Sequence, residues 1–227
     1  MNKKIARQIS LGLMVAGLGC ASTGHANNWY AGAGLGYAKA NASTGVNAVD
    51  ATPDFGRDKK NLNSSSILGT IFVGHRFNCD AFSWFVQGRG LWDNAELKSD
   101  VNLAAPFNKD SIKINRTGTL GFDVGATKSF HEIDFSLKLG LLLSKFDVKY
   151  DDLQGALKER KSSYGWGFAP GFVVEKKLGF MTMGLHYEYQ IYAPLKQEFS
   201  EINTACRYSV RSKPRYHSVM VTIKKEL

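Results

Sequence analysis

Residues 132–144 read Glu-Ile-Asp-Phe-Ser-Leu-Lys-Leu-Gly-Leu-Leu-Leu-Ser. Ile133, Phe135, Leu137, Leu139, Leu141 and Leu143 fall on one parity. Asp134, Ser136, Lys138, Gly140 and Ser144 fall on the other, with Leu142 the one apolar intruder. A helix would scatter the apolar set around its circumference, whereas a strand gathers it on one face. The run is close to the roughly 9–11 residues that a tilted strand needs to cross a bilayer. A soluble sheet could bury such a face too, so the decision rests on whether the rest of the chain repeats the pattern.

It does so seven more times. Residues 29–37 set Ala31, Ala33, Leu35 and Tyr37 against three glycines, and 66–77 set Ile67, Ile71, Val73 and Phe77 against Thr70 and Arg76. Strands follow at 81–92, 115–128, 164–175, 180–192 and 215–226, each alternating apolar with polar or glycine. Short turns are expected at Asn78-Cys79-Asp80, Ser129-Phe130-His131 and Lys176-Lys177-Leu178-Gly179. The polar segments 38–65, 93–114, 151–162 and 193–213, three of them carrying a proline, are expected to be long loops. Short turns alternating with long loops are the signature of an outer-membrane barrel. Aromatics fall in two bands, Phe77, Phe82, Phe130 and Phe180 beside the turns, and Tyr37, Trp92, Phe146, Tyr164, Trp166, Tyr189 and Tyr216 towards the loops. The sequence therefore predicts an all-β fold, an eight-stranded antiparallel up-and-down transmembrane β-barrel. Two local irregularities are expected. Beyond Ser144 the apolar parity passes to Phe146, Val148 and Tyr150, by a bulge near Lys145 or by the strand leaving the bilayer. Pro170 cannot donate a ladder hydrogen bond.

The first 26 residues read as a secretory leader: Lys3, Lys4 and Arg7, an apolar core from Ile9 to Leu18 too short to span a membrane, and Gly24-His25-Ala26 before the cut. Lipidation at Cys20 is the alternative processing. The domain organisation is then a signal peptide, 1–26, and one barrel domain, 27–227. The formal charge is +9, of which the leader holds three positive and no negative residues, leaving +6 spread along the chain. No recognisable nucleic-acid module accompanies it, and export argues against such a partner. Cys79 and Cys206 are expected at opposite ends of the molecule, too far apart for a disulfide. The histidines are scattered, so neither a metal site nor a cofactor is expected.

Trp29-Tyr-Ala-Gly-Ala-Gly-Leu-Gly-Tyr37 after the leader and Gly165-Trp-Gly-Phe-Ala-Pro-Gly171 before the last hairpin resemble the eight-stranded outer-membrane barrels of Gram-negative bacteria, the family of the OmpA transmembrane domain and of small porin-like surface antigens. The resemblance implies location in the outer membrane, lipopolysaccharide and outer-membrane lipids as surroundings, insertion by the barrel-assembly machinery, and a monomer. That family usually ends on an aromatic residue, and this chain ends Lys224-Lys225-Glu226-Leu227.

A barrel of eight strands has an interior that side chains fill. Its expected lumen charges are Arg76, Arg89, Asp123, Asp134, Lys138, His186 and Glu188, joined by Gln87, Glu175 and Lys224. Charges removed from water need partners, so the set reads as a salt-bridged filling that stabilises the barrel, with a gated path for small ions as the competing reading. No catalytic residue is assigned. A lipid A deacylase would need a His and a Ser together, and His217 and Ser218, being adjacent, point to opposite faces of a strand. His186 and Glu188 share a face, which fits a structural hydrogen bond between them. The loops offer an alternative role in adhesion or in host or phage binding.

Overall fold

Each alternating stretch folds as a strand, but the strands run far past the stretches that announce them. The computed structural model describes residues 28–48, 58–79, 81–104, 108–151, 158–200 and 207–227; the expected leader and its expected cut lie outside the described residues. The strands are β1 Trp29–Ala48, β2 Asp58–Asn78, β3 Ser83–Asp93, β4 Glu96–Ala104, β5 Asn108–Phe130, β6 Ile133–Asp151, β7 Lys158–Leu178, β8 Met181–Tyr192, β9 Leu195–Ser200 and β10 Arg207–Glu226. β3 and β4 pair in succession along β5, and β8 and β9 along β10, so each couple is one barrel strand broken once. All pairings are antiparallel, and β1 pairs with both β2 and β10, which closes a ring of eight.

Along β6 the outward residues are Ile133, Phe135, Leu137, Leu139, Leu141 and Leu143, then Lys145, Lys149 and Asp151. The inward residues run in the opposite sense: Asp134, Ser136, Lys138 and Gly140, then Leu142, Ser144, Phe146, Val148 and Tyr150. The strand keeps one register with β7 throughout, so the side chains do not change face; the surroundings do. Ile133 to Leu143 is ten steps of about 3.3 Å, tilted by about 40°, a rise of about 25 Å that matches the apolar band of such barrels. The remaining eight residues carry the wall about 20 Å higher. There water lies outside, and the apolar side chains move inward to form an ordinary core. The same swap occurs after Tyr37 in β1, before Ile67 in β2, after Trp92 in β3 and before Val219 in β10. Ile67 and Leu137 are 76% and 73% exposed, whereas Leu97, Ile112, Leu142, Phe146 and Phe199 are fully buried.

This second core corrects several expectations. The segments 38–65, 93–114, 151–162 and 193–213 are mostly strand, and only their tips, 49–57, 105–107, 152–157 and 201–206, lie outside the described residues. They read as loops because their polar outer face is the one that water rewards. Phe146 and Tyr216 belong to the upper core, both at 0% exposure, not to the aromatic girdle. The upper girdle is Tyr37, Trp92, Tyr164 and Trp166, and Trp29, Phe82, Phe130 and Phe180 are exposed at the other end. The bulge lies in β5, between Arg116 and Gly118 opposite Lys145, rather than in β6. At Pro170 the ladder to β8 is interrupted and resumes in the same register. The hairpins turn at His131 and Gly179, both at positive φ and each the last residue of its expected turn. Cys79 is disulfide-bonded; Cys20 and Cys206, and with them the expectation about the pair, lie outside the described residues.

The swap predicts opposite tolerances at two heights. Leu137→Arg, in the middle of the belt, costs about 2–4 kcal/mol in reversible urea unfolding from lipid vesicles. Lys149→Leu, on the wall above, changes it by less than about 0.5 kcal/mol.

Candidate functional site in the lumen

The inward polar residues stack in three layers. Nearest the short turns, Arg76 of β2 lies 2.9 Å from Asp134 of β6 and 3.6 Å from Glu175 of β7. Lys224 of β10 also binds Glu175. His186 of β8 meets the Thr222 hydroxyl at 2.8 Å and lies 3.9 Å from Glu175. The carboxylate beside His186 is therefore Glu175. Glu188, two residues along the same strand, faces the next layer, so the expected His186–Glu188 hydrogen bond does not form.

In the middle layer, Glu188 receives both Arg89 at 2.5 Å and Lys138 at 2.7 Å. Asp123 lies 3.1 Å from Arg89 and 3.6 Å from Lys138. The Arg89–Asp123 contact attracts by charge without hydrogen-bond alignment, since Arg89 Nη2 and Asp123 Oδ1 have no hydrogen-bond partner. Asp123 is bonded instead by the Gln87 amide at 2.7 Å, and Gln87 accepts from the Tyr30 hydroxyl at 3.2 Å. Gly140 makes room for this layer: a Cβ there would run into Asp123 Oδ1 and come within 3.1 Å of Arg89.

The third layer escaped sequence reasoning. Arg116 of β5 binds Asp93 of β3 and the Gln190 side-chain carbonyl, accepts a place over the Tyr216 ring at 3.8 Å, and donates to the Tyr192 hydroxyl at 3.1 Å. Gln190 joins this layer to the one below by donating to Glu188 at 2.7 Å. Simple alternation puts Arg116 on the lipid face with Leu120 and Phe122, and only the bulge at Thr117 turns it inward. Asp93 fell in a supposed loop. The detectable signal was an arginine at a position that lipid would reject.

Five bases, Arg76, Arg89, Arg116, Lys138 and Lys224, thus meet five carboxylates, Asp93, Asp123, Asp134, Glu175 and Glu188. All ten lumen residues expected from the sequence lie in or against this set. A cavity of about 20 Å³, bounded among others by Tyr30, Arg76, Lys138 and His186, has room for about one water. Tyr192, which Arg116 reaches, is linked onward to Ser144 and Ser144 to Thr119 through hydroxyls at 2.7 and 2.6 Å. Among the described residues no three His, Cys, Asp or Glu side chains gather as a metal site. His217 faces outward against Tyr187 and Tyr189, away from Ser218, which faces in.

Outside the membrane-spanning part, Asp147 on the upper wall of β6 is hydrogen-bonded by Ser162 and Arg160. Its partial burial pushes the carboxyl up, but these bonds and the charges of Arg160 and Lys145 outweigh that and hold it below its ordinary value.

A closed antiparallel ring with an apolar belt outside and ion pairs inside defines a membrane-spanning β-barrel. The chain belongs to the outer membrane protein beta-barrel domain family, whose profile matches residues 10–206. Among solved structures it is similar to the outer membrane protease OmpT of Escherichia coli, at 6% identity over 92% of this chain and 100% of that one, with a TM-score of 0.56. It is also similar to Neisserial surface protein A, at 14% identity over 88% and 97% of the two chains with a TM-score of 0.38. A third is Ail of Yersinia pestis, crystallised with the heparin analogue sucrose octasulfate, at 12% identity over 84% and 99% with a TM-score of 0.32. No curated protein sequence matches this chain. At such identities the first likeness speaks for fold alone.

Glu188→Leu leaves Arg89 and Lys138 to share Asp123 and is expected to lower unfolding stability by about 3–5 kcal/mol. Removing Glu226 from its exposed pair with Lys177 shifts the same measurement by less than about 0.5 kcal/mol. Asp147 adds stability above its unfolded pKa of about 4, and that contribution disappears as pH falls through its lower folded value. Asp147→Asn is therefore less stable than the parent near neutrality, and the two converge in acid unfolding curves once pH falls below the lowered folded value of Asp147.

Proposed function

We propose that this chain is a non-enzymatic, monomeric outer-membrane barrel whose lumen is closed to solutes, and whose role is carried by its wall and its extracellular end. The observation that carries this reading is the balanced set of five bases and five carboxylates under a continuous apolar core. A path for ions needs water-filled space and mobile charges; here the polar part of the lumen leaves room for about one water, and the upper part is lined by Leu97, Ile114, Phe146 and Phe199. Opening such a path would separate buried ion pairs and wet an apolar core. Insertion by the barrel-assembly machinery belongs to this reading as the route by which such barrels reach the membrane.

Against an enzyme stands the placement of the histidines. His75 and His217 face outward, His131 sits in a short turn, and His186 is buried in the lowest lumen layer. Of these four, only His217 lies above the belt, and it faces outward against Tyr187 and Tyr189, away from Ser218, so among the described residues it has no serine or carboxylate beside it to form a hydrolytic centre. The alternative of an adhesin or a host or phage receptor draws support from the wall that lifts the four tips about 20 Å above the bilayer.

The purified barrel in planar bilayers is expected to be electrically silent, with Arg89→Ala silent too. A steady conductance that Arg89→Ala alters would sink the closed-lumen reading, and acyl-chain or peptide-bond hydrolysis lost in His186→Ala would sink the non-enzymatic one. Replacing 49–57 with a glycine-serine linker tests the tips, since a receptor role there predicts lost attachment to host cells with the barrel intact.

A further inference from the structure

Above the apolar belt the outer wall is divided by charge. Over β4 to β7 the signs are mixed and paired: Glu96 lies 3.7 Å from Lys113, and Asp147 binds Arg160 between Lys145 and Lys149. On the opposite side, every outward position of β10 from 211 to 217 carries a base: Arg211, Lys213, Arg215 and His217, all exposed. The register sets Lys39 of β1 opposite His217, and Lys196 of β9 opposite Arg211. The other neighbours are neutral, Asn41 opposite Arg215 and Ser43 opposite Lys213, with Asn63 and Asn61 next on β2. None of the five Lys and Arg side chains forms an ion pair among the described residues, and the nearest outward carboxylate in the register is Glu198, opposite Ser209.

Two further observations say what kind of ligand this face fits. A cavity of about 360 Å³ opens where Asn41, Ser43, Asn61, Asn63, Lys213 and Arg215 converge. That is within the roughly 300–1,000 Å³ range of small-molecule sites and large enough for a phosphorylated sugar. Immediately below, the same outward rows turn apolar, to Tyr37 and Leu35 on β1 and to Val219 and Val221 on β10. Lys39 stands two residues beyond Tyr37, about 5 Å above the belt, at the height of the lipid headgroups. The face therefore offers donors for anionic oxygen directly over a surface for acyl chains.

We propose that this face of β10, β1 and β2 is a docking site for one phosphorylated glycolipid of the outer leaflet, a lipopolysaccharide. Its acyl chains lie on Leu35, Val219 and Val221, its phosphates are held by Lys39, Lys213 and Arg215, and a sugar occupies the asparagine-lined cavity. Arginine can grip a phosphate with two parallel hydrogen bonds and lysine adds point charge. A soluble polyanion would use the bases but not the apolar steps beneath them, and a zwitterionic phospholipid would bring too little negative charge. The site lies on the outside of the wall, so it stands independently of whether the lumen conducts, and the bilayer recordings above do not bear on it.

The test compares the full-length barrel with a Lys39→Gln, Lys213→Gln, Arg215→Gln triple variant. A control variant, Lys98→Gln, Lys113→Gln, Lys149→Gln, neutralises the opposite wall. Heat-modifiable gel mobility verifies that each is folded, and where the triple fails to fold, Arg215→Gln alone takes its place. Each is titrated in nanodiscs with purified lipopolysaccharide, with the same material enzymatically dephosphorylated, and with a soluble sulfated polysaccharide. Loss of a charge-assisted hydrogen bond weakens binding about tenfold or more, so the triple is expected to bind intact lipopolysaccharide at least about tenfold more weakly than the parent and the control. Dephosphorylation is expected to remove the difference. Equal binding by parent and triple overturns the proposal, as does undiminished binding of the dephosphorylated lipid. Tighter binding of the sulfated polysaccharide than of lipopolysaccharide overturns it too, and makes the face a receptor for soluble polyanions.

Discussion

In hydrocarbon a backbone amide has no water to fall back on, so a sheet that spans a bilayer must have no open edge. Here the pairing of β1 with β10, from Tyr30 opposite Glu226 to Ala48 opposite Tyr208, removes the last one. Everything else in the molecule depends on that closure. It fixes which side chains face lipid and which face one another, and it brings Asp134 and Arg76, 58 residues apart, within a hydrogen bond. It also forces the lumen charges to be solved among themselves. Ten ionised groups enclosed by a lipid-facing wall are tolerable only as pairs, because a lone one would keep its full desolvation cost.

The lower half of the barrel was legible because lipid imposes a rule that few residues break. Leu137 and Leu139 could only be outside if Lys138 was inside. The upper half obeys the same alternation with the solvent exchanged, and the sequence carries that as a phase inversion. Leu142 marks it: read as an intruder in a lipid-facing strand, it is the first residue of the extracellular core, fully buried above Gly140. A scan that looks for apolar residues on one parity ends a strand where the apolar residues merely change sides. Hence β1 appeared to stop at Tyr37 although Ala38, Ala40, Ala42 and Val46 continue it inward.

The charge network was legible as a list but not as pairs. Parity places Arg89, Asp123, Lys138 and Glu188 in the lumen, yet which carboxylate each base meets depends on the stagger between neighbouring strands, which the sequence does not state. His186 shows the consequence: its neighbour in sequence, Glu188, faces another layer, while Glu175, from the adjacent strand, is the carboxylate nearest to it. Arg116 was hidden for a different reason. One extra residue at Thr117 reverses the parity of everything beyond it in β5, and a bulge has no compositional marker strong enough to betray it here. The cations of β10 were visible individually but fell in a segment that read as loop, so their alignment on one outer face became apparent only with the strand.

The upper core has a bearing on how this protein can change over generations. Because Leu62, Leu97, Ile114, Phe146 and Phe199 close the extracellular half from within, its cohesion rests on paired strands and not on the tips that join them. Sequence at those tips is thereby released from the duty of holding the fold. They can lengthen, shorten or alter their chemistry at little cost to the paired strands beneath. Variation in this lineage should accordingly concentrate at four points on the rim, carried on a shaft that stays the same.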